Sequence, residues 1–425
     1  MREFLDNIDV VKVDKKVSPK YEIPAVSKKL NKPVLFKNVE GYDIPVLMNL
    51  ASSRDLIAHS LGCKIEDISE RLLDAMSKPA EVKVEGELDA VEPDLSKLPV
   101  LNHYAKDRGK YITSGVVITK DSQNRRNASI HRMLVKDNRR LGIRIVKRHL
   151  FENYKEAEKR GKPLDVAISI GLDPKTLIGV STRVPKGFDE FRLVGALMEK
   201  NLNLIKCDTV DIEVPKSEIV LEGKILCGDR EPEGPFVDIT GTYDSIRNQP
   251  IIELTGMNIR RDAIYQGILP AGKEHRLIMG LPYEPLILKE VNKVCDAMDV
   301  ALTEGGSCYL HGVVKINKRK ERDGIKAIKA AKKAHGSMKH CIVVDEDIDI
   351  YDYADIDYAI STRVKGDEDI HVFPESKGST LDPRGKDDGT VTKVGVDATK
   401  KLKNTERFLK EGIPGEEDLN LDFYI

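Results

Sequence analysis

Tyr111-Ile-Thr-Ser-Gly-Val-Val-Ile-Thr119, Leu141-Gly-Ile-Arg-Ile-Val146 and Val166-Ala-Ile-Ser-Ile-Gly171 open a series of short apolar runs. The series continues through Ile219-Val-Leu-Glu-Gly-Lys-Ile-Leu226 and Ile251-Ile-Glu-Leu-Thr255. β-Branched residues dominate these runs, and turn residues separate them. They predict an antiparallel barrel or sandwich between about residues 110 and 265. A single helical pattern interrupts them over residues 190–200, where Phe191, Val194, Leu197 and Met198 recur along one face.

Outward from this block the periodicity changes on both sides. Residues 32–37 and 42–50 predict two short strands. Ser53 caps a helix that ends at Gly62, and Ile65, Ile68, Leu72, Leu73 and Met76 trace a second helix up to Pro79. The polar, proline-bearing stretch 92–99 reads as a linker. Beyond residue 280, alternation of helix and strand returns. A helix is predicted over 286–298, a strand over 308–316, a helix over 324–335 closed by Gly336, a strand over 341–344 and a helix over 353–360. The expected organisation is an N-terminal α/β portion (1–100), a cofactor-binding β-barrel (101–280) and a C-terminal α/β domain (281–425) with a role in oligomerisation.

The 425 residues carry 69 Lys+Arg against 70 Asp+Glu and are 40% hydrophobic, a composition that buries a sizeable core and creates no global field for nucleic acid. Six scattered cysteines without a CxxC spacing fit a reducing cytoplasm rather than a disulfide framework or a zinc site. Residues 1–15 lack the apolar run of a signal peptide, and no uncharged segment approaches the roughly 20 residues of a membrane span. The basic run 315–333 reads as a solvated helix face, since no aromatic residues interleave with its lysines. The acidic run 345–357 lacks the Gly and Glu of a calcium loop at either possible register. Gly305-Gly306-Ser307 lacks the lysine and spacing of a phosphate-binding loop.

Two constellations carry chemistry. In NASIHRMLVKDNRRLGIRIVKRH (127–149), with Glu190 downstream, Asn127, His149 and Glu190 offer an amide oxygen, an imidazole and a carboxylate. That set suits Mn²⁺ or Mg²⁺, although on spacing alone a His in this setting is more often a satisfied core residue. In EPEGPFVDITG (231–241), Glu233 and Asp238 flank a Gly-Pro turn. With an arginine between them they form an acid–base apparatus in which the arginine also grips a substrate carboxylate through two bonds. A plain turn with a solvated Asp is the competing reading.

These blocks, with KPVLFKNVEGYDIPVLMNL, LVGALMEKNLNLIKCDTVDIEVP, STRVKGDEDI and GSTLDPRGKD, resemble in order and over the whole chain the UbiD family of reversible decarboxylases that use prenylated FMN. The resemblance implies a central split β-barrel of the flavin-reductase kind between α/β portions, and a homodimer or higher homo-oligomer packed through the C-terminal region. It implies that Asn127, His149 and Glu190 hold Mn²⁺ (or Mg²⁺, with K⁺ as a further cation). Ser129, Ile130, His131, Arg132, Arg144, Ser181, Thr182 and Lys393 are implied contacts of the flavin. The implied catalytic trio is Glu233, Arg132 and Asp238, with Val237 standing where the family often has a smaller residue. A flavin prenyltransferase is the implied supplier of the cofactor.

The compact, Lys- and Glu-rich chain is similar to the short archaeal branch of the family. That implies trans-anhydromevalonate 5-phosphate as the unsaturated acid, converted to isopentenyl phosphate and CO₂, with Arg125, Arg126, Arg139, Arg140 and Lys147 available for its phosphate. An aromatic acid of the polyprenyl-4-hydroxybenzoate type is the alternative substrate. A flavin-binding protein without catalysis is the alternative of another class.

Overall fold

Eight strands build the central sheet in the order Tyr111–Ile112, Met133–Val135, Arg140–Ile143, Arg247–Ile259, Ile219–Glu233, Leu164–Ile170, Val116–Lys120 and Arg126–Ile130, every neighbouring pair antiparallel. The structure, a computed structural model, describes residues 1–425 except 387, 404, 409, 416–418, 421, 422 and 425. The two long central strands slip register between Glu222 and Gly223, where the backbones approach so closely that a side chain on Gly223 would strike the carbonyl of Glu253. Such a bulge raises local twist and helps to curl a large sheet. Ile168, Ile170, Leu221, Ile225 and Ile252 fill one face. Helices Pro174–Ser181 and Glu190–Leu197 cover the other.

The N-terminal layer is a four-stranded sheet ordered Val11–Val13, Val34–Phe36, Val46–Met48, Tyr265–Gly267. Its last strand returns from the far end of the central segment and lies parallel to Val46–Met48. A three-stranded sheet joins Val82–Glu87 to Leu202–Lys206 and Glu213–Pro215. The stretch 92–99 is no free linker. Val91 bridges Met257, and Leu95 and Leu98 are buried, so the segment is strapped onto the core by apolar side chains set between its prolines.

The C-terminal sheet runs Asp296–Leu302, His311–Asn317, His340–Val344, Thr390–Ala398, Ile370–Lys377. The helix expected over 286–298 is two elements, Glu284–Val291 and strand Asp296–Leu302. The side chain of Asn292 accepts the N–H of Ala297 and turns the chain between them. The strand expected from Cys308 begins at His311, because residues 303–310 form tight turns. Helix Asp323–Ala334 buries Ala327, Ile328 and Ala331 and leaves its lysines outward. In the acidic run, Asp345 and Asp347 both bind the buried Arg363. Among the described residues no helix is long and apolar enough to cross a membrane.

Candidate active site

The long strand Ile219–Glu233 delivers Glu233 to the sheet's rim, fully buried. Gly234, at φ +85°, then makes a reversal that an L-side chain rarely adopts, its N–H donating to the hydroxyl of Tyr111. The chain doubles back as a small hairpin of Phe236–Val237 against Tyr243–Asp244, and Asp238 sits at its bend with its N–H on the carbonyl of Thr242. Arg132, between strands Arg126–Ile130 and Met133–Val135, points into this hairpin.

Its guanidinium meets three carboxylates. Nε and Nη2 donate to the two oxygens of Glu233 at 2.9 and 3.0 Å. Nη1 donates to Asp238, and Nη2 also to Asp244 at 2.9 Å. Phe236 lies under the guanidinium, 4.6 Å from ring centre to Cζ. The sequence had joined Arg132, Glu233 and Asp238, and the fold brings them together. Asp244 was missed: it lies beyond the Glu-Pro-Glu-Gly-Pro block and enters only because the hairpin pairs Phe236 with Asp244. Of five guanidinium N–H groups, four are engaged, leaving one on Nη1. The two-bond grip on a substrate carboxylate expected from sequence therefore has no room while Asp238 keeps its place. A substrate carboxylate meets Nη1 beside Asp238 or in its stead.

Arg132, Phe236, Asp238 and Asp244 line a cavity of about 410 Å³, within the range of small-molecule sites, with the buried Glu233 behind the guanidinium. Ser129, Ile130, His131, Arg144 and Ser181 line it from the sheet and helix side. Ile268, Ile278, Met279, Tyr283 and Tyr309 supply much of the opposite wall. His131 accepts the hydroxyl of Ser129 on Nε2 (3.0 Å) and donates from Nδ1 to the carbonyl of Arg144 (2.9 Å). Burial pushes its pKa down to about 4, so the ring is neutral and that tautomer is the one the two partners require. Arg144 lies 3.8 Å from Asp244.

A second cavity of about 280 Å³ shares Ser129–His131, Val146–Arg148 and Val180–Ser181 with the first. Asn127, His149, Thr182 and Glu190 line it. Glu190 accepts from the amide nitrogen of Asn127 and the N–H of Ala128, both at 2.9 Å, and burial raises its pKa to about 7. The amide oxygen of Asn127 accepts no hydrogen bond among the described residues, so a hard cation would find one free oxygen donor, one desolvated carboxylate and an imidazole. Thr182 returns its hydroxyl to Ile178.

Four of the five cations expected to serve a phosphate are already paired. Arg125 binds Asp121, Arg126 binds Asp189 and Glu213, Arg139 binds Glu92, and Arg140 binds Asp137 and Glu231. Lys147 lines both cavities, as does the neighbouring Arg148, which sequence reasoning had passed over. Arg148 has a phenol partner, the hydroxyl of Tyr283 at 2.7 Å, and neither residue has a carboxylate partner among the described residues. Lys393 lines neither cavity. Its ammonium donates to the carbonyl of Gly336, one residue from Ser337 of the main wall.

Comparison with known proteins gives three family matches that follow one another along the chain. The N-terminal, Rift-related and C-terminal domains of 3-octaprenyl-4-hydroxybenzoate carboxy-lyase match residues 6–76, 74–273 and 276–398. Anhydromevalonate phosphate decarboxylase of Methanothermobacter thermautotrophicus is 49% identical over 416 residues, covering 96% of this chain and 98% of its own. The UbiD-class enzyme HmfF from Pelotomaculum thermopropionicum, solved in complex with FMN, superposes with a TM-score of 0.97 at 36% identity, over 100% of this chain and 99% of that one. An evolved dimeric form of HmfF in complex with prFMN gives 0.93 at 35% identity, over 100% and 99% of the two chains.

Proposed function

The chain belongs to the UbiD family of carboxy-lyases and is a decarboxylase, and from that premise we propose that it converts trans-anhydromevalonate 5-phosphate to isopentenyl phosphate and CO₂. The near-full-length likeness to an archaeal enzyme named for that substrate carries the reading. Prenylated FMN, when bound, supplies the electron sink for the pair released with CO₂. The joined cavities fit such a group: an apolar slot between Ile130, Val180 and Ile278, opening onto Lys147 and Arg148 as cations for a phosphate. Asn127, His149 and Glu190 would hold Mn²⁺ or Mg²⁺ beside that phosphate, with K⁺ as a further cation. Ser129, Ile130, His131, Arg144, Ser181 and Thr182 would flank the ring system, and Lys393 would act from behind the C-terminal wall.

The protein's own residues place and protonate. Arg132 offers its remaining Nη1 hydrogen to the substrate carboxylate and is itself held in place by its two-bond clasp on Glu233. Asp238, on the same nitrogen, delivers the proton to the carbon that CO₂ leaves, so the C–CO₂ bond breaks, a C–H bond forms with one proton consumed, and CO₂ and the alkene product depart. We read the curled central sheet as a split barrel of the flavin-reductase kind, with units 1–100, 101–280 and 281–425 and a homodimer or higher homo-oligomer formed through the last. The flavin comes from a flavin prenyltransferase, and the enzyme works in the cytoplasm.

The test uses protein co-produced with a flavin prenyltransferase and incubated anaerobically with the substrate, product being followed by mass spectrometry. Isopentenyl phosphate is expected from the unaltered enzyme and none from Asp238→Asn, which keeps its flavin absorbance. Turnover by Asp238→Asn removes that residue from the role. No product from flavin-loaded unaltered enzyme rejects this substrate and sends the assay to aromatic acids.

A further inference from the structure

Residues 104–108, Tyr-Ala-Lys-Asp-Arg, form an irregular strap that lines neither cavity yet grips the hairpin carrying Glu233 and Asp238 along much of its length. The N–H of Lys106 donates to the hydroxyl of Tyr243 at 3.1 Å. The N–H of Arg108 donates to the carbonyl of Pro235 at 3.1 Å, and its side chain to that of Gly234 at 3.3 Å. At the centre Asp107 uses both oxygens: Oδ2 accepts the N–H of Tyr104 at 3.0 Å, closing the strap's own turn, and Oδ1 accepts the N–H of Val237 at 3.1 Å. Val237 immediately precedes Asp238.

A hairpin this short, two residues paired with two, has little stability of its own. Its bend carries a carboxyl that must stay on one nitrogen of Arg132. The bond from Val237 to Asp107 anchors the backbone one residue before that carboxyl. We propose that Asp107 is a positioning residue for the protonation step: it sets where Asp238 stands against Arg132 without touching substrate. This inference rests on the reading of Asp238 as the acid.

Only a double acceptor serves both amides. In Asp107→Asn one of them would face an NH₂ donor. A displacement of about 1 Å at a catalytic group costs on the order of 10²-fold. The flavin-loaded Asp107→Asn enzyme is therefore expected to lose about tenfold to a hundredfold in kcat, with KM within about twofold and flavin occupancy unchanged. Tyr243→Phe, which removes only the exposed acceptor of Lys106, should show the same split with a loss of about two- to fivefold. An unchanged kcat in Asp107→Asn, or a matching rise in KM, would overturn the proposal. An active Asp238→Asn would instead remove the acid assignment beneath it.

Discussion

Arg132 concentrates the chemistry of the site, because three carboxylates and one aromatic face converge on a single guanidinium. Glu233 is fully buried and Asp244 nearly so, and burying two such acceptor groups is tolerable only with the fixed fork of donors that arginine supplies. Lysine keeps the charge and loses the fork: its ammonium cannot span Glu233, Asp238 and Asp244 together. Arg132→Lys is thus expected to lower kcat/KM by at least about a hundredfold. It should also lower the denaturation midpoint, by steady-state assay and chemical denaturation respectively. A variant within tenfold of the unaltered enzyme contradicts the fork argument. The two carboxylates of this clasp were legible in the sequence, because Glu233 and Asp238 stand five residues apart about a Gly-Pro turn, whereas Arg132 as their partner came from the family resemblance. Asp244 was not legible. Nothing local marks it, and only the pairing of Phe236 with Asp244 carries it to the arginine. Arg148 was hidden for another reason: it reads as one more cation in a basic run, and only the fold separates it from Arg125, Arg126, Arg139 and Arg140, whose carboxylate partners lie nearby.

Among the elements, the ones that shape the cavity depend on close approaches that hydrophobic periodicity does not encode. Helix Lys273–Gly280 brings His275, Ile278 and Met279 to the wall, and its last residue packs against the turn that presents Tyr309. A Cβ on Gly280 would overlap the carbonyl oxygen of Cys308, a backbone atom with no freedom to step aside. Gly280→Ala should accordingly destabilise the protein by about 1–3 kcal/mol or more, read as a lower Tm, with flavin loading weakened because the two walls part. A Tm unchanged by this substitution would show that the helix can shift without cost. The same limit explains the misread helix over 286–298. Ile287, Val291, Val294 and Met298 continue a helical spacing past its true end, no Gly or Pro marks the stop, and the break is made by the side chain of Asn292 on Ala297. Strand Val82–Glu87 escaped notice because almost all of it is exposed, so that alternation of valine with charge carries little core signal. The buried stretches 166–170 and 219–226 were plain from the start as nearly apolar runs, whereas the polar, largely exposed continuation of the second strand to Glu233 was not.

Across the whole molecule, one apolar cluster runs from Ala51 and Leu72 through Val116 and Phe191 to Val314 and Val343. The N-terminal helices, the central sheet and the C-terminal sheet therefore share a core, and groups buried in different units bear on one stability. Two of these groups are histidines held neutral. His103 is buried with neither ring nitrogen hydrogen-bonded among the described residues, and His335 is buried with Nε2 on the carbonyl of Tyr309 at 2.8 Å. Loss of water pushes both pKa values down to about 3, against about 6.5 in the unfolded chain. Between those values the unfolded state binds the protons and the folded state does not, so their effect is to lower stability as the pH falls from about 6.5. Glu274 opposes them. Burial raises its pKa to about 7, so the folded state alone binds its proton down to about 4.5, where the unfolded chain takes it up as well. These three groups together give a fall of about 1.4 kcal/mol per pH unit between roughly 6.5 and 4.5, steepening to about 2.7 below it. His103→Leu removes one of the two histidine protons and an unpartnered polar ring. Its denaturant midpoint should match or exceed that of the unaltered protein at pH 7, and the gap should widen by about 1.4 kcal/mol for each unit of acidification down to pH 4. Parallel midpoint-versus-pH curves for the two proteins would mean that His103 takes up its proton in the fold, and that acid lability has to be sought among the paired carboxylates instead.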